Sequence, residues 1–409
     1  MNRFVLFAMA FLVLCLPVQA ENLPNERLNK FAKRMVERHG YAIGYPVNQN
    51  VELKDFYLWY AESGLADVAM NNVGNPRKDS PYDLNTHEYE NEVINFFAPL
   101  YGFDLPETWG IVTYSGTDGN NHGVYFGVKY LVAKTKMRPV LYVSDEAHYS
   151  IKKLGDLQNL DMRLIPSDEM GRMNIAEFEK VLDITKPALI VAAIGTTFKG
   201  GIDDQTAIDA VLQRKKPIAT YRHLDAALFG GFLPFSEHKW IIDRKKMHFD
   251  SIAVSGHKFF GLDEPMGLFI TSKEVLDNQN PFKVNYLNDA VPTITCSRSA
   301  LAPLKFWWKI KKTGLEGFQK QAAQLLENTR YLKAKLDEIK YPSWANQYSN
   351  TVFFMRPSEA IMKKWDLAPE EDPRFGGALS HDIIMQHETP EVIDRFIEDL
   401  KKDQASTGK

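Results

Sequence analysis

Four short segments carry residue types that could do chemistry together. Ser255-Gly256-His257-Lys258-Phe259-Phe260-Gly261 follows the apolar run Ile252 to Val254. A lysine just past the carboxyl end of a buried strand sits where open α/β sheets place their ligands. Partial burial lowers its pKa toward the neutral amine that condenses with a carbonyl, as a Schiff-base lysine must. Upstream, Arg222-His223-Leu224-Asp225-Ala226-Ala227 puts an acid after the strand-like run Ile218 to Tyr221. A carboxylate fixed against a heterocyclic nitrogen keeps it protonated and turns the ring into an electron sink. Tyr114-Ser115-Gly116-Thr117-Asp118-Gly119-Asn120 precedes a helical stretch from about Asn121 to Lys134. Small and hydroxyl residues opening a helix leave backbone N–H groups free for an anion such as a phosphate. No Gly-Lys-Ser/Thr follows, so this is not a Walker motif. Val143-Ser144-Asp145-Glu146-Ala147-His148-Tyr149-Ser150 offers His148, whose ring could stack on a planar ligand. Taken singly, each has a plainer reading: a surface lysine, a capping aspartate, an ordinary helix start, a loop histidine.

The elements that must position these residues come from periodicity. From about Tyr82, helical stretches alternate with β-branched runs at Val140 to Val143, Leu164-Ile165, Leu189 to Ile194, Ile218 to Tyr221, Ile252 to Val254 and Leu268 to Thr271. Runs apolar on both faces, separated by helices such as Asn174 to Leu182 and Asp204 to Gln213, predict a buried, mostly parallel α/β sheet covered by helices. From Pro303 the texture changes to long charged helices, Leu304 to Lys312 and Leu315 to Ile339. A strand at Thr351 to Met355 and a helix at Pro390 to Lys401 then predict a small α+β domain, with a frayed tail after Asp403. The expected organisation is a leader at 1–20, an N-terminal segment at 21–80 with a helix over Leu28 to Arg38, a large domain at 81–302, and linking helices with a small domain at 303–409.

The leader differs in kind from the rest. Met1-Asn2-Arg3 supplies a positive start, Phe4 to Leu16 is apolar, and Val18-Gln19-Ala20 has the small-residue pattern of a cleavage site, so an exported protein is expected. The alternative is an uncleaved membrane anchor, for which the run falls short of the roughly 20 apolar residues a spanning helix needs. Cleavage would leave Cys296 as the sole thiol, excluding an internal disulfide. A net charge of −3, from 49 basic and 52 acidic residues spread along the chain, offers no sustained surface for nucleic acid. No metal site is expected, and no stable membrane insertion once the leader is removed.

In this order and spacing, the four segments resemble the group II pyridoxal-phosphate (PLP) decarboxylases of fold type I, in particular the bacterial histidine decarboxylase and plant serine decarboxylase branch. The likeness runs from Gly44-Tyr45-Pro46-Val47-Asn48 to about Leu400. It implies an α/β fold of the PLP-dependent transferase type, a homodimer, pyridoxal 5'-phosphate as cofactor and an L-amino acid as substrate. Residue by residue, it implies Lys258 as the cofactor lysine, Asp225 as partner of the ring nitrogen, His148 stacked over the ring and Ala227 near its other face. Ser115, Gly116, Thr117, Ser255 and His257 would hold the phosphate. Ile194-Gly195-Thr196-Thr197 would line the pocket, with Thr196 contacting the cofactor. Asn71-Asn72-Val73-Gly74 and His87-Glu88-Tyr89-Glu90 resemble the family's substrate-side region. Tyr286 resembles a tyrosine of the mobile active-site loop and is the candidate proton donor.

The chain departs from the pattern at Cys296-Ser297-Arg298-Ser299-Ala300-Leu301, where the branch usually reads Gly-Ser-Arg-Asn-Gly-His. It also reads Tyr114-Ser115-Gly116 where two glycines are common. Ser297 and Arg298 survive, and in relatives this stretch reaches the phosphate across a dimer interface. The change at Leu301 bears on substrate identity. Histidine is the expected substrate, with serine or an aromatic amino acid as alternatives. Another PLP lyase or aminotransferase, and a noncatalytic PLP-fold binding protein, are the competing functions, because shared cofactor residues do not fix which bond breaks.

Overall fold

The computed structural model describes residues 23–407; the predicted leader and Cys15 lie outside the described residues. The described residues form two separate compact units that divide between Gly40 and Tyr41. In the first, the helix Glu26–Arg38 starts where the Asn25 side chain accepts from the Leu28 N–H, and it places Leu28, Phe31 and Met35 along one exposed face.

The second unit is built on a seven-stranded sheet in the order Thr108–Thr113, Gly267–Ser272, Ser251–Ser255, Thr220–Asp225, Ala188–Ala193, Val140–Ser144, Asp161–Ile165. Every pairing from Ser251–Ser255 outward to Asp161–Ile165 is parallel, whereas Gly267–Ser272 runs antiparallel to both its neighbours. Ala188–Ala193 is buried throughout, as a strand covered on both faces must be. Two boundaries differ from the sequence reading. Thr108–Thr113 is a fully buried strand that periodicity did not predict, its pattern interrupted by Gly110. The run predicted at Ile218 to Tyr221 is a strand at Thr220–Asp225, and Ile218 lies outside it, exposed. Arg222, His223 and Asp225 look like strand breakers in the sequence, yet all three are buried inside it. Arg222 is paired with Asp209 and donates to the Met247 carbonyl, which removes much of the cost of burying its charge.

The helix Gly116–Thr135 lies flat on this sheet because it presents glycines at consecutive turns. A Cβ at Gly123 would come within 2.3 Å of the His223 ring, and one at Gly127 within 2.7 Å of Tyr221. Beyond the large sheet, the helix Leu301–Glu338 contains a break at Gly314, with φ 65 and ψ 172, between the two helices the sequence predicts. It leads to a four-stranded antiparallel sheet in the order Ser343–Ala345, Thr351–Met355, Gly377–Ile383, Ala368–Asp372. The helix Pro390–Thr407 continues past Asp403 where a frayed tail was expected. Asp403 accepts from the Ser358 N–H at 3.0 Å, which ties the last turns down. One hydrophobic cluster includes residues from Ile43 to Leu400 and spans both sheets, so the small sheet shares its core with the large one.

Candidate active site

In-register parallel pairing brings three strand ends to one edge: Ala193 lies opposite Asp225, and Asp225 opposite Ala253. The loops that follow deliver Thr196, Ala227, Ser255, His257 and Lys258 to a common cavity of about 260 Å³. The helix start adds Ser115, Gly116 and Thr117, and the turn after Val140–Ser144 adds His148. Nine of the candidate residues thus converge with Asp225, although they come from segments far apart in the chain.

Lys258 is partly exposed at the cavity floor, and burial pulls its ammonium pKa down, opposed by the Asp225 charge. Asp225 is 6% exposed and accepts a long hydrogen bond, 3.4 Å, from the Ala227 N–H. His148 is lowered chiefly by burial, which keeps its imidazole neutral; its Nδ1 accepts from the Ser150 N–H at 3.3 Å and lies 2.7 Å from the Ser150 hydroxyl. That occupancy assigns its proton to Nε2. His257 is pushed down to about 4 by burial and the Lys258 charge, and its buried Nδ1 has no hydrogen-bond partner. Ser115 caps the helix by accepting from Asp118, while a Cβ at Gly116 would lie 2.3 Å from the Ser255 hydroxyl. The glycine is required because the helix N-terminus and the Ser255 strand end approach one another so closely.

These residues fit a phosphorylated pyridine aldehyde. The free N–H groups of a capped 20-residue helix, the Ser255 hydroxyl and the orphaned His257 nitrogen form an anion cradle at one end. Lys258 would be the amine for the aldehyde and Asp225 the carboxylate for the ring nitrogen, with the planar His148 and the small Ala227 available for the two ring faces.

The Pyridoxal-dependent decarboxylase conserved domain matches residues 127–343. The chain is 33% identical over 386 residues to histidine decarboxylase from Solanum lycopersicum, covering 92% of this chain and 88% of that one. The chain belongs to the pyridoxal-dependent decarboxylases. To serine decarboxylase 1 from Oryza sativa subsp. japonica the enzyme is 32% identical over 380 residues, 92% of this chain and 75% of that one. In fold, the decarboxylase is similar to L-methionine decarboxylase from Streptomyces sp. 590, with a TM-score of 0.79 at 18% identity over 93% and 94% of the two chains. It is therefore a PLP-dependent carboxy-lyase, and pyridoxal 5'-phosphate is its cofactor. When bound, the cofactor supplies the electron sink that takes up the pair released as CO₂ departs. The chain's own part would be to hold it: Lys258 would provide an amine whose lowered pKa favours the unprotonated form, and Asp225 would keep a proton at the ring nitrogen. His148, on the cavity wall, would cover a face of the ring.

Two candidates stand outside the cavity. Tyr286 is 78% exposed at the tip of the hairpin formed by Phe282–Val284 and Asp289–Val291. Ser297 is exposed, its hydroxyl accepting from Asn71 at 3.1 Å and its carbonyl from the Tyr114 hydroxyl at 3.0 Å. The segments expected on the substrate side also lie off the cavity wall. Glu90 there accepts from the Val112 N–H, the Asn72 amide and Arg298, forming a buried polar cluster that anchors the two-residue strand Ser297–Arg298. The sequence reading missed several wall residues. Phe229, Thr351 and Ile383 reach the cavity only through tertiary packing. Asn120 was legible in principle, since it lies four residues after Gly116 on the same helix face.

Proposed function

We propose that this decarboxylase converts L-histidine to histamine and CO₂. The observation that carries this reading is a second cleft of about 650 Å³ that shares Pro46, Tyr149, Thr197 and Ile383 with the cofactor cavity. Its wall holds Asp145, Glu146, Glu370, Glu371 and Asp372 against Lys199 and Arg374. A chamber of that size with an excess of carboxylates suits an imidazole, which is planar and donates N–H, better than the hydroxymethyl group of serine. Similarity to the tomato histidine decarboxylase over 88% of that protein's length agrees with this choice. A panel of L-amino acids assayed for amine products tests it: histamine as the fastest product is expected, and ethanolamine as the fastest product would reassign the substrate to serine.

We further infer that the enzyme is a homodimer in which Tyr286 donates its proton in the partner's site, consistent with its exposure outside its own cavity. Lys258→Ala and Tyr286→Phe chains should each be inactive alone but regain activity when co-assembled, because one hybrid site then holds an intact lysine and an intact tyrosine. No recovery in verified hybrids would place the tyrosine elsewhere. Among the described residues, no helix is long and apolar enough to cross a membrane. We take the predicted leader as an export signal, so that mature protein recovered from outside the cytoplasm should begin at Glu21.

A further inference from the structure

Beneath Asp225 lies a chain of buried polar groups to which the assigned site residues give no role. His223, two residues before Asp225 on the same face of the strand, is wholly buried. Its Nδ1 lies 2.8 Å from the Ser251 hydroxyl, and that hydroxyl accepts from the Tyr221 hydroxyl, also at 2.8 Å. Its Nε2 lies 3.0 Å from Oδ1 of Asn120, a buried residue that lines the cofactor cavity. Burial pushes His223 down to about 3, so the ring is neutral and carries one proton. An amide oxygen can only accept, which assigns that proton to Nε2 and makes Nδ1 the acceptor for Ser251. Every hydrogen then points one way, from Tyr221 through Ser251 and His223 to Asn120. The Asn120 Nδ2 is left with no hydrogen-bond partner among the described residues.

We propose that Asn120 is a cofactor-binding residue, its amide N–H held toward the pyridoxal phosphate by the buried relay Tyr221–Ser251–His223. A buried side chain amide loses hydrogen bonds to water, and its cost of burial is met only if both ends find partners. The relay supplies a partner for the oxygen. The cavity, beside Gly116 and Thr117 on the same helix face, is the remaining place for the nitrogen to find one. Space for the relay is itself built in, because a Cβ at position 123 would overlap the His223 ring at 2.3 Å. In this arrangement Asn120 touches the cofactor, whereas His223, Ser251 and Tyr221 are positioning residues acting through it.

The inference rests on the cofactor and not on the identity of the substrate, so its test measures cofactor binding. Purified protein is stripped of cofactor, and pyridoxal 5'-phosphate is titrated back, following the visible absorbance band and its dependence on pH. Asn120→Ala is expected to raise the dissociation constant roughly tenfold, the equivalent of one lost hydrogen bond to a polar partner. It should also shift the pH midpoint of the band. Ser251→Ala leaves Asn120 in place but cuts the relay, and should move both readouts in the same direction by a smaller factor. Each variant leaves a buried His223 nitrogen without its partner, so the cofactor-free forms should melt below wild type yet be folded at the temperature of the titration. Unchanged affinity and an unchanged band in folded Asn120→Ala would overturn the proposal. If Asn120→Ala does not fold, Ser251→Ala decides: a shifted band supports the relay, and an unshifted one overturns it. Loss of decarboxylation with wild-type cofactor binding would count against the assignment while leaving the proposed substrate untouched.

Discussion

At the scale of single residues, the chemistry is divided between a cation and an anion that do not form a contact pair. Lys258 is destabilised as an ammonium by burial, and Asp225 only partly offsets this. A fully matched ion pair would lock the lysine in its charged, non-nucleophilic form. Lys258→Ala should therefore abolish the visible absorbance of the purified protein, and a variant that retained the band would remove the lysine from its role. Asp225→Asn preserves shape but withdraws the charge that keeps the ring nitrogen protonated. It should lower kcat by roughly 10²-fold or more while the protein still retains cofactor, comparable to removing one preorganised electrostatic group from other active sites. Steady-state kinetics on the cofactor-loaded variant checks this.

At the scale of elements, the site depends on the strand-end loops being held against the small sheet. Lys199, its side chain 2% exposed, sits 2.7 Å from Glu146 and 2.6 Å from Asp372, and Arg374 contacts the same two carboxylates. Glu146 belongs to the loop that carries His148, and Lys199 to the loop that carries Thr196. Asp372 ends a strand of the small sheet. Together they tie two site loops to an element that supplies part of the cavity wall. Arg374 and Lys199 hold the Asp372 carboxyl well below the usual carboxylate range, so the stabilisation it gives is present at neutral pH and lost in strong acid. Lys199→Met removes one cation and leaves Glu146 and Asp372 facing each other with only Arg374 between them. Breaking a buried pair in this way costs about 3 kcal/mol, measurable as a lower urea midpoint. An unaltered midpoint would show that Arg374 alone suffices.

At the scale of the whole molecule, burial of acids sets the pH dependence of stability. Asp382 and Glu388 are each about 1% exposed, and Asp382 Oδ1 and Glu388 Oε2 have no donor. Burial pushes Asp382 up to about 7 and raises Glu388 as well, its neighbour's charge adding to the effect. Burial raises Asp203 in the same way, to about 7, and Asp250 to about 6. A carboxyl raised in the folded state favours folding below its unfolded pKa, and this contribution is lost as pH rises through the folded value. The melting temperature should therefore fall by several degrees between pH 5 and pH 8. Glu388→Gln, which relieves the mutual repulsion, should flatten that decline. An equal decline in the variant would locate the pH dependence elsewhere.

Lys258, Asp225 and His148 could be read directly, because each follows closely on a short apolar run, and Ser115 because small and hydroxyl residues open the helix it caps. The physics that makes a strand or helix stop there is local in the chain. The break at Gly314 was legible for the same reason. Other features depend on which distant segments pack together, and no window of neighbouring residues carries that information. Packing put Phe229, Thr351 and Ile383 on the cavity wall and left Tyr286 and Ser297 outside it. It also buried His223 under Asp225, where a polar strand residue reads as a break until Asn120 and Ser251 are seen on either side of its ring. Local pattern thus marks which groups can react, while the partners that orient them follow from long-range burial, whose hydrogen-bond demands are met across the sheet.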